Sequence, residues 1–317
     1  MSDHSRVAVS VVVPVHEMAD PLDELYAEYA AALRASGQPV EFLFVTEPRF
    51  AAHGARLAAV ARRTGTVRVL EAGQPLGEAA LIKAALPLCR GPVVLTLPAY
   101  RRVEASGLPA LIGCVDDGAD VAVARRWPRR DGRLNQLQNR GLHALIRWLL
   151  RVDLNDVACG VRAARRKVLE EIPLYGDNAR FLGVIGARLG YRVDEVAIPQ
   201  HARDVRPRLY PPGTYLRRLL DILALFFVLR FTQKPLRFFG LFGSLLAAVG
   251  VGVLAILTWQ RLGGQALAGR PLLLGGVLLL ILGVQLVALG LIGEIIVFLG
   301  TPRGSTYRLR SDGRPAR

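Results

Sequence analysis

The chain has 317 residues, and its 41 basic against 26 acidic side chains leave a formal charge of +15. That length suits one substantial soluble domain with a membrane anchor, rather than two small domains. Its cysteines, Cys89, Cys114 and Cys159, are odd in number and far apart, and no C-x-x-C or H-x-x-x-H spacing occurs, which argues against a structural zinc and for a reducing compartment.

Lysine occurs only at positions 83, 167 and 234, so nearly all the positive charge is arginine. Such a surface suits an anionic membrane, a lipid phosphate or a nucleotide phosphate. Nucleic acid is not expected, because no aromatic-basic RNA motif or recognition helix is evident.

Asp3 and His4 precede a short apolar strand, unlike the charged-then-apolar order of a secretory signal, and this predicts a cytoplasmic soluble domain. Residues 7 to 15 (VAVSVVVPV) form a β-branched run of the kind a parallel strand buried on both faces requires. Similar runs follow at 41 to 45, 67 to 70, 92 to 97 and 121 to 124, alternating with helix-like stretches beginning near 21, 52, 77, 106 and 134. The alternation predicts an α/β domain over 1–212 with an open, mainly parallel, doubly wound sheet. Ligands of such sheets sit beyond the carboxyl ends of the strands, after Val13, Val45, Leu70, Leu97 and Ala124.

The segment 213–234 begins with charge, then holds eight apolar residues from Ile222 to Leu229, and reads as an interfacial amphipathic helix or as an ordinary helix packed on the sheet. Two runs, Phe238 to Gln260 and Pro271 to Gly293, carry no charged side chain. Each reaches about 34 Å as a helix, enough for a bilayer core of about 30 Å, so 235–300 reads as a two-helix transmembrane anchor. Arg217, Arg218, Arg230, Lys234 and Arg237 precede it and Arg303, Arg308 and Arg310 follow it, in a basic tail over 301–317, while the connecting loop holds only Arg261 and Arg270. This distribution predicts a multi-pass inner-membrane protein with both termini cytoplasmic. Glu294, near the cytoplasmic end of the second run, reads as a hydrated or arginine-paired carboxylate.

VVVPVHEMADPLDEL at 11 to 25, LGEAALIKAAL at 76 to 86 and NDVACGVRAARRKVLEEI at 155 to 172 resemble segments of the family 2 glycosyltransferases of GT-A fold. The first is similar to that family's opening strand and turn, and the second to its F-G-K-x-A-A-L helix. RGPVVLTL at 90 to 97 resembles the strand before its metal motif, and DVAVARR at 120 to 126 its D-V-V-x-G-S-R segment. The most specific match is NDVACGVRAARRKVLEEI at 155 to 172, which resembles S-D-x-x-x-G-F-R-A-x-R-R-x-V-L. LGYRVDEVAIPQHAR at 189 to 203, RPRLY at 206 to 210, KPLRFFGLFG at 234 to 243 and GEIIV at 293 to 297 extend the likeness to the polyprenyl-phosphate branch, which includes the dolichol-phosphate mannose synthases.

The resemblance implies an inverting transfer of a sugar from a nucleotide sugar to a polyprenyl phosphate. It implies donor binding by Pro14, Glu17, Thr46, Glu47, Thr96, Arg101 and Arg102, with catalytic roles for Asp156 and Arg125. Arg162, Arg206, Arg208 and Tyr210 correspond to lipid-phosphate-binding positions.

Three turns depart from the pattern. His16, Glu17 and Met18 replace Tyr-Asn-Glu; Thr46, Glu47, Pro48 and Arg49 replace Asp-Asp-Gly-Ser; and Thr96, Leu97, Pro98, Ala99 and Tyr100 stand where Asp-Ala-Asp-Leu-Gln holds a divalent metal. Magnesium or manganese would lack its usual carboxylates, since Thr96 and Pro98 cannot supply them, and no cofactor is assigned.

One reading is a metal-free enzyme in which Arg49, Arg101, Arg102, Arg125 and Arg126 converge on the leaving diphosphate. The other is a catalytically inactive homologue acting as a scaffold for a membrane glycan-assembly enzyme. A transporter has little support from two spans. Asp156 is open to three roles: orienting the lipid phosphate, deprotonating it, or capping the following segment. The glycines of the spans, among them Gly243, Gly250, Gly276 and Gly283, would permit close helix contacts and a small homo-oligomer.

Overall fold

The computed structural model describes residues 7–129, 152, 154–157, 159–174, 178–204, 235–263 and 271–300. The helix expected near 134, the interfacial helix over 213–234, the tail over 301–317, and Arg206, Arg208 and Tyr210 lie outside the described residues. The chain divides into two compact units, Met1–Ile222 and Leu223–Arg317.

In the first unit, β1 (Val9–Val15), β2 (Val40–Thr46), β3 (Val67–Glu71), β4 (Val93–Thr96), β5 (Val121–Arg126), β6 (Arg162–Arg165) and β7 (Val193–Ile198) form one sheet in the order β3-β2-β1-β4-β6-β5-β7. All neighbours are parallel except β6, which runs antiparallel between β4 and β5. The apolar runs at 7–15, 41–45, 67–70, 92–97 and 121–124 supply β1 to β5.

The other two strands have no such run. β6 is RAAR, an arginine at each end and two alanines between, and β7 is VDEVAI on the sheet edge, mostly half-buried. The alanines are small for a reason: Ala163 and Ala164 are squeezed between two flanking strands at 0% and 1% exposure.

Val9, Val11, Val13 and Val15 of β1 join Phe42, Phe44 and Leu95 in one apolar core. The same core takes in Leu22, Leu25 and Leu33 of α1 (Leu22–Arg34), Leu57 of α2 (Ala51–Thr64), and Leu108, Leu111 and Ile112 of α4 (Leu108–Asp116). The alternate residues Val12, Leu43 and Val94 are buried as well. Both faces of the central strands are therefore covered, as their unbroken apolar runs require, and α3 (Glu78–Ala85) packs on β1 and β2.

At the amino ends of the strands a buried polar group is fully engaged. Ser10 Oγ donates to Glu41 Oε1 at 2.7 Å, the Arg90 amide donates to the same oxygen at 2.6 Å, and the Gly91 amide donates to Ser10 Oγ at 2.9 Å. Gly91 passes so close that a Cβ there would lie 2.8 Å from the Ser10 nitrogen.

Among the described residues of this unit, two further α-helices, α5 (Arg166–Glu171) and α6 (Leu182–Arg188), follow β6 and precede β7. The second unit contains α7 (Pro235–Leu262) and α8 (Pro271–Gly300), both long and apolar enough to cross a bilayer. Each is longer than its uncharged run, because the ends include Arg237, Arg261 and Glu294.

Small residues bring the two helices together. A Cβ on Gly243 would meet the Gly283 carbonyl oxygen at 2.6 Å, and one on Gly250 would meet the Leu280 nitrogen at 2.7 Å. Dispersion contact between closely approaching backbones is a main source of helix association in lipid. The Glu294 carboxylate accepts the Leu236 amide at 3.3 Å, at the positive end of the α7 dipole.

Candidate active site at the carboxyl ends of the strands

The β1 and β2 ends are built more for order than for contact with a ligand. Pro14 is buried within β1, opposite Val45, whereas Glu17 in the following turn is exposed. Thr46 is buried and its hydroxyl donates to the Leu70 carbonyl at 3.3 Å, spanning to β3. Glu47 is 2% exposed. Its Oε1 accepts the Leu76 and Gly77 amides at 3.2 and 2.9 Å, and Arg49 Nε lies 3.2 Å from Oε2. Glu47 thus fixes the loop that leads into α3. Gly77 makes that entry with φ at 76°, in the left-handed region a side chain disfavours.

After β4, Thr96 donates through Oγ1 to the Arg162 carbonyl at 3.3 Å. Arg101 turns towards α1 and the loop before it: Nε donates to Glu28 at 2.6 Å, Nη1 to Asp20 at 3.4 Å and Nη2 to Glu24 at 3.5 Å, while its amide donates to Asp20 at 3.0 Å. Three carboxylates therefore hold this guanidinium. Arg102 is buried and donates to the Tyr100 hydroxyl at 2.9 Å.

β5 ends in Arg125 and Arg126, and strand alternation sends these to opposite faces of the sheet. Arg125 is half-buried and lies over the Trp127 ring, 5.3 Å from its centroid. Arg126, 4% exposed, grips Asp156 with Nε at 2.6 Å and Nη2 at 2.9 Å and reaches Asp204 with Nη1 at 3.3 Å. Arg129 Nη2 adds a second cation 3.0 Å from Asp156, and Gln200 donates to Asp204 at 2.9 Å. Burial opposes ionisation of Asp156, but the hydrogen bonds and charge of Arg126, with Arg129 and Arg102 beyond, hold its carboxyl well below the usual carboxylate range. A carboxylate so held is a poor proton acceptor. Of the five arginines expected to converge, Arg49, Arg101 and Arg126 are thus paired with carboxylates and Arg125 lies on the face opposite Arg126.

Arg162, first residue of β6, lies opposite Thr96 of β4 and Val123 of β5. Its guanidinium is 2% exposed and meets one carboxylate at the edge of contact, Glu78 Oε1 at 3.5 Å from Nη2. Nη1 is buried with no hydrogen-bond partner. Glu78 is the first residue of α3, so this arginine sits beside the amino end of a helix, where backbone amides lack helical acceptors. Glu78 carries no role in the sequence expectations. An acid directly after Gly77, at the start of a helix, is the signal that marks it.

Among the described residues no group of three His, Cys, Asp or Glu side chains is arranged to hold a metal ion. The turn after β4 offers Thr96, Leu97, Pro98 and Ala99, and Asp20, Glu24 and Glu28 near it are bound by Arg101. These residues do not fit a carboxylate-held magnesium or manganese.

No family model matches the chain. It is 28% identical over 300 residues to the undecaprenyl-phosphate 4-deoxy-4-formamido-L-arabinose transferase of Edwardsiella ictaluri, covering 93% of this chain and 91% of that protein. It is 27% identical over 299 residues to the dodecaprenyl-phosphate galacturonate synthase of Rhizobium johnstonii, covering 91% and 87%. Among solved structures, the glucosyl-3-phosphoglycerate synthase of Mycobacterium tuberculosis in complex with Mg2+ and uridine diphosphate aligns with a TM-score of 0.52 at 19% identity, over 69% of this chain and 79% of that one. At that identity the likeness concerns the fold.

Proposed function

We propose that this chain, a homologue of the polyprenyl-phosphate glycosyltransferases of GT-A fold, transfers a sugar from a nucleotide sugar to a polyprenyl phosphate at a membrane without a carboxylate-held metal. The observation that carries the reading is the extent of the similarity. It spans more than nine-tenths of the chain, through the sheet and the apolar helices, in relatives that both act on polyprenyl phosphates by name.

In this reading an oxygen of the lipid phosphate attacks the anomeric carbon, the bond from that carbon to the nucleoside diphosphate breaks, and the configuration inverts. A phosphate monoester has a second pKa of about 6 and is already a nucleophilic anion at neutral pH, so no general base is needed. Asp156, held by Arg126 and Arg129, then orders the segment leading to β6 rather than taking a proton. Arg162 receives the lipid phosphate, and Arg206, Arg208 and Tyr210 are further candidates for it. Arg102, on the Asp156 side, is assigned to the donor, and Arg125, on the face opposite Arg126, is a separate candidate for the leaving diphosphate. Pro14, Glu17, Thr46, Glu47 and Thr96 form or support the donor side. Arg101 contributes indirectly, by holding α1 against the turn after β4.

The α/β unit and both termini are assigned to the cytoplasmic side of the inner membrane, from the arginines and lysine flanking the spans. The same arginine-rich surface is assigned to anionic lipid, and the glycine faces to a homo-oligomer.

The test is transfer of labelled sugar from uridine and guanosine nucleotide sugars to a polyprenyl phosphate by the full-length protein, with magnesium, with manganese and with chelator. Transfer that persists in chelator is the expected result. Loss of transfer on chelation would overturn the metal-free reading. No transfer from any donor, with polyprenyl phosphate still bound, would favour an inactive scaffold.

A further inference from the structure

We infer that Glu78 is the exchangeable counter-ion of Arg162, a residue that sets how tightly the site holds a phosphate oxyanion. The inference rests on the reading of Arg162 as a phosphate-binding group and assigns a role to a residue outside the expected site.

Four features support the exchange. The contact is weak for an ion pair: one nitrogen, Nη2, faces one oxygen at 3.5 Å, in contrast to the two-nitrogen grip of Arg126 on Asp156 at 2.6 and 2.9 Å. The partners differ in freedom, since Arg162 is 2% exposed on the central sheet and Glu78 is 21% exposed on a helix end. Glu78 can therefore rotate towards water, whereas Arg162 is held by the ladders to Thr96 and Val123. Donor capacity is in reserve, because Nη1 is buried without a partner. A buried unspent donor is costly, and an anion that accepts from it recovers that cost.

The fourth feature is the surrounding backbone. Glu47 takes the Leu76 and Gly77 amides and fixes the start of α3, so the helix end does not have to be ordered when an anion arrives. Gly160, at φ 79°, lies next to the same guanidinium, and a Cβ there would stop 3.9 Å from Nη2. Glu78 thus neutralises Arg162 while the site is empty and competes with the ligand for it.

The ligand chemistry is a phosphate oxyanion, from a lipid monophosphate or a nucleoside diphosphate. The experiment measures binding of a short-chain polyprenyl monophosphate and, separately, of uridine diphosphate to the full-length protein in detergent. The proteins compared are the unaltered protein, Glu78→Gln, Arg162→Met and the double variant, each shown to be folded by its thermal unfolding.

Glu78→Gln is expected to tighten one of the two ligands by roughly two- to fivefold, the scale of one partly exposed charge interaction. The ligand that tightens identifies the source of the phosphate. The gain should be absent when Arg162 is already Met. Unchanged or weaker binding of both ligands in Glu78→Gln, with Arg162→Met impaired, would overturn the counter-ion and leave the phosphate site standing. Binding of both ligands to Arg162→Met at full strength would overturn the phosphate site itself. A gain in Glu78→Gln that persists in the double variant would also overturn the inference, since the effect would not pass through Arg162.

Discussion

Arg126 holds Asp156 at both carboxylate oxygens, through Nε at 2.6 Å and Nη2 at 2.9 Å, with both side chains almost wholly buried. Removing one partner of such a pair leaves an uncompensated charge in a poorly solvated place.

Asp156→Asn should therefore cost about 3–5 kcal/mol of stability, measured by denaturant unfolding of the full-length protein. The pH dependence has a definite sign. The folded carboxyl lies below its unfolded value of about 3.9, so its contribution is complete above that value and is lost as pH falls through the folded one. The unaltered protein should lose stability more steeply below about pH 4 than Asp156→Asn. Equal acid slopes would contradict the ion pair.

Glu47 governs the loop ahead of α3. Glu47→Ala removes the acceptor of the Leu76 and Gly77 amides and should cost about 1–3 kcal/mol. Hydrogen exchange at those two amides should accelerate well ahead of exchange within β1. Unchanged protection at both would show that the loop is held by something else.

Close packing of α7 and α8 makes Gly283 intolerant of a side chain. A Cβ would lie 2.5 Å from the Ala247 nitrogen, whereas one at Gly252 would meet nothing within 4 Å. Gly283→Leu should lower thermal stability in detergent by about 1–3 kcal/mol, and Gly252→Leu should be close to neutral. The opposite ranking would refute the observed interface.

Burial, and the charge of Glu41, push the Cys89 thiol up to about 11. The thiol should resist alkylation at pH 8 in the folded protein and react once the chain is unfolded. Because the folded value exceeds the unfolded one of about 8.5, stability from this group is full below 8.5 and declines as pH rises towards 11. Rapid alkylation at pH 8 without unfolding would contradict the burial.

Five strands were legible in the sequence: β1, β2 and β4 are largely apolar on both faces, as strands covered on both sides must be, while β3 (VRVLE) and β5 (VAVARR) still open on alternating valines. The spans were legible for the same kind of reason, an uncharged run of sufficient length. β6 was not, since two alanines between arginines give neither an apolar run nor a useful period, and its place is set by the strands it joins. At the site, the loss of acids after β4 could be read directly from Thr96 to Tyr100, but the partners of the arginines could not. Arg101 and Arg126 are neutralised by carboxylates from distant segments, 73 and 30 residues away in sequence. Adjacent residues on one strand also diverge, which separates Arg125 from Arg126. Glu78 went unseen because its importance comes from the approach of Arg162, 84 residues further on.

β6 has only four residues, yet its register determines which way Arg162 points. Opposite Thr96, the guanidinium lies near the start of α3; displaced by one position, the same backbone would turn that charge to the far face of the sheet and give Val161 or Ala163 its place. A single-residue deletion between Cys159 and Arg162 should therefore leave the strand intact while reversing its two sides, so that the chain would retain its architecture but lose the cation beside the start of α3.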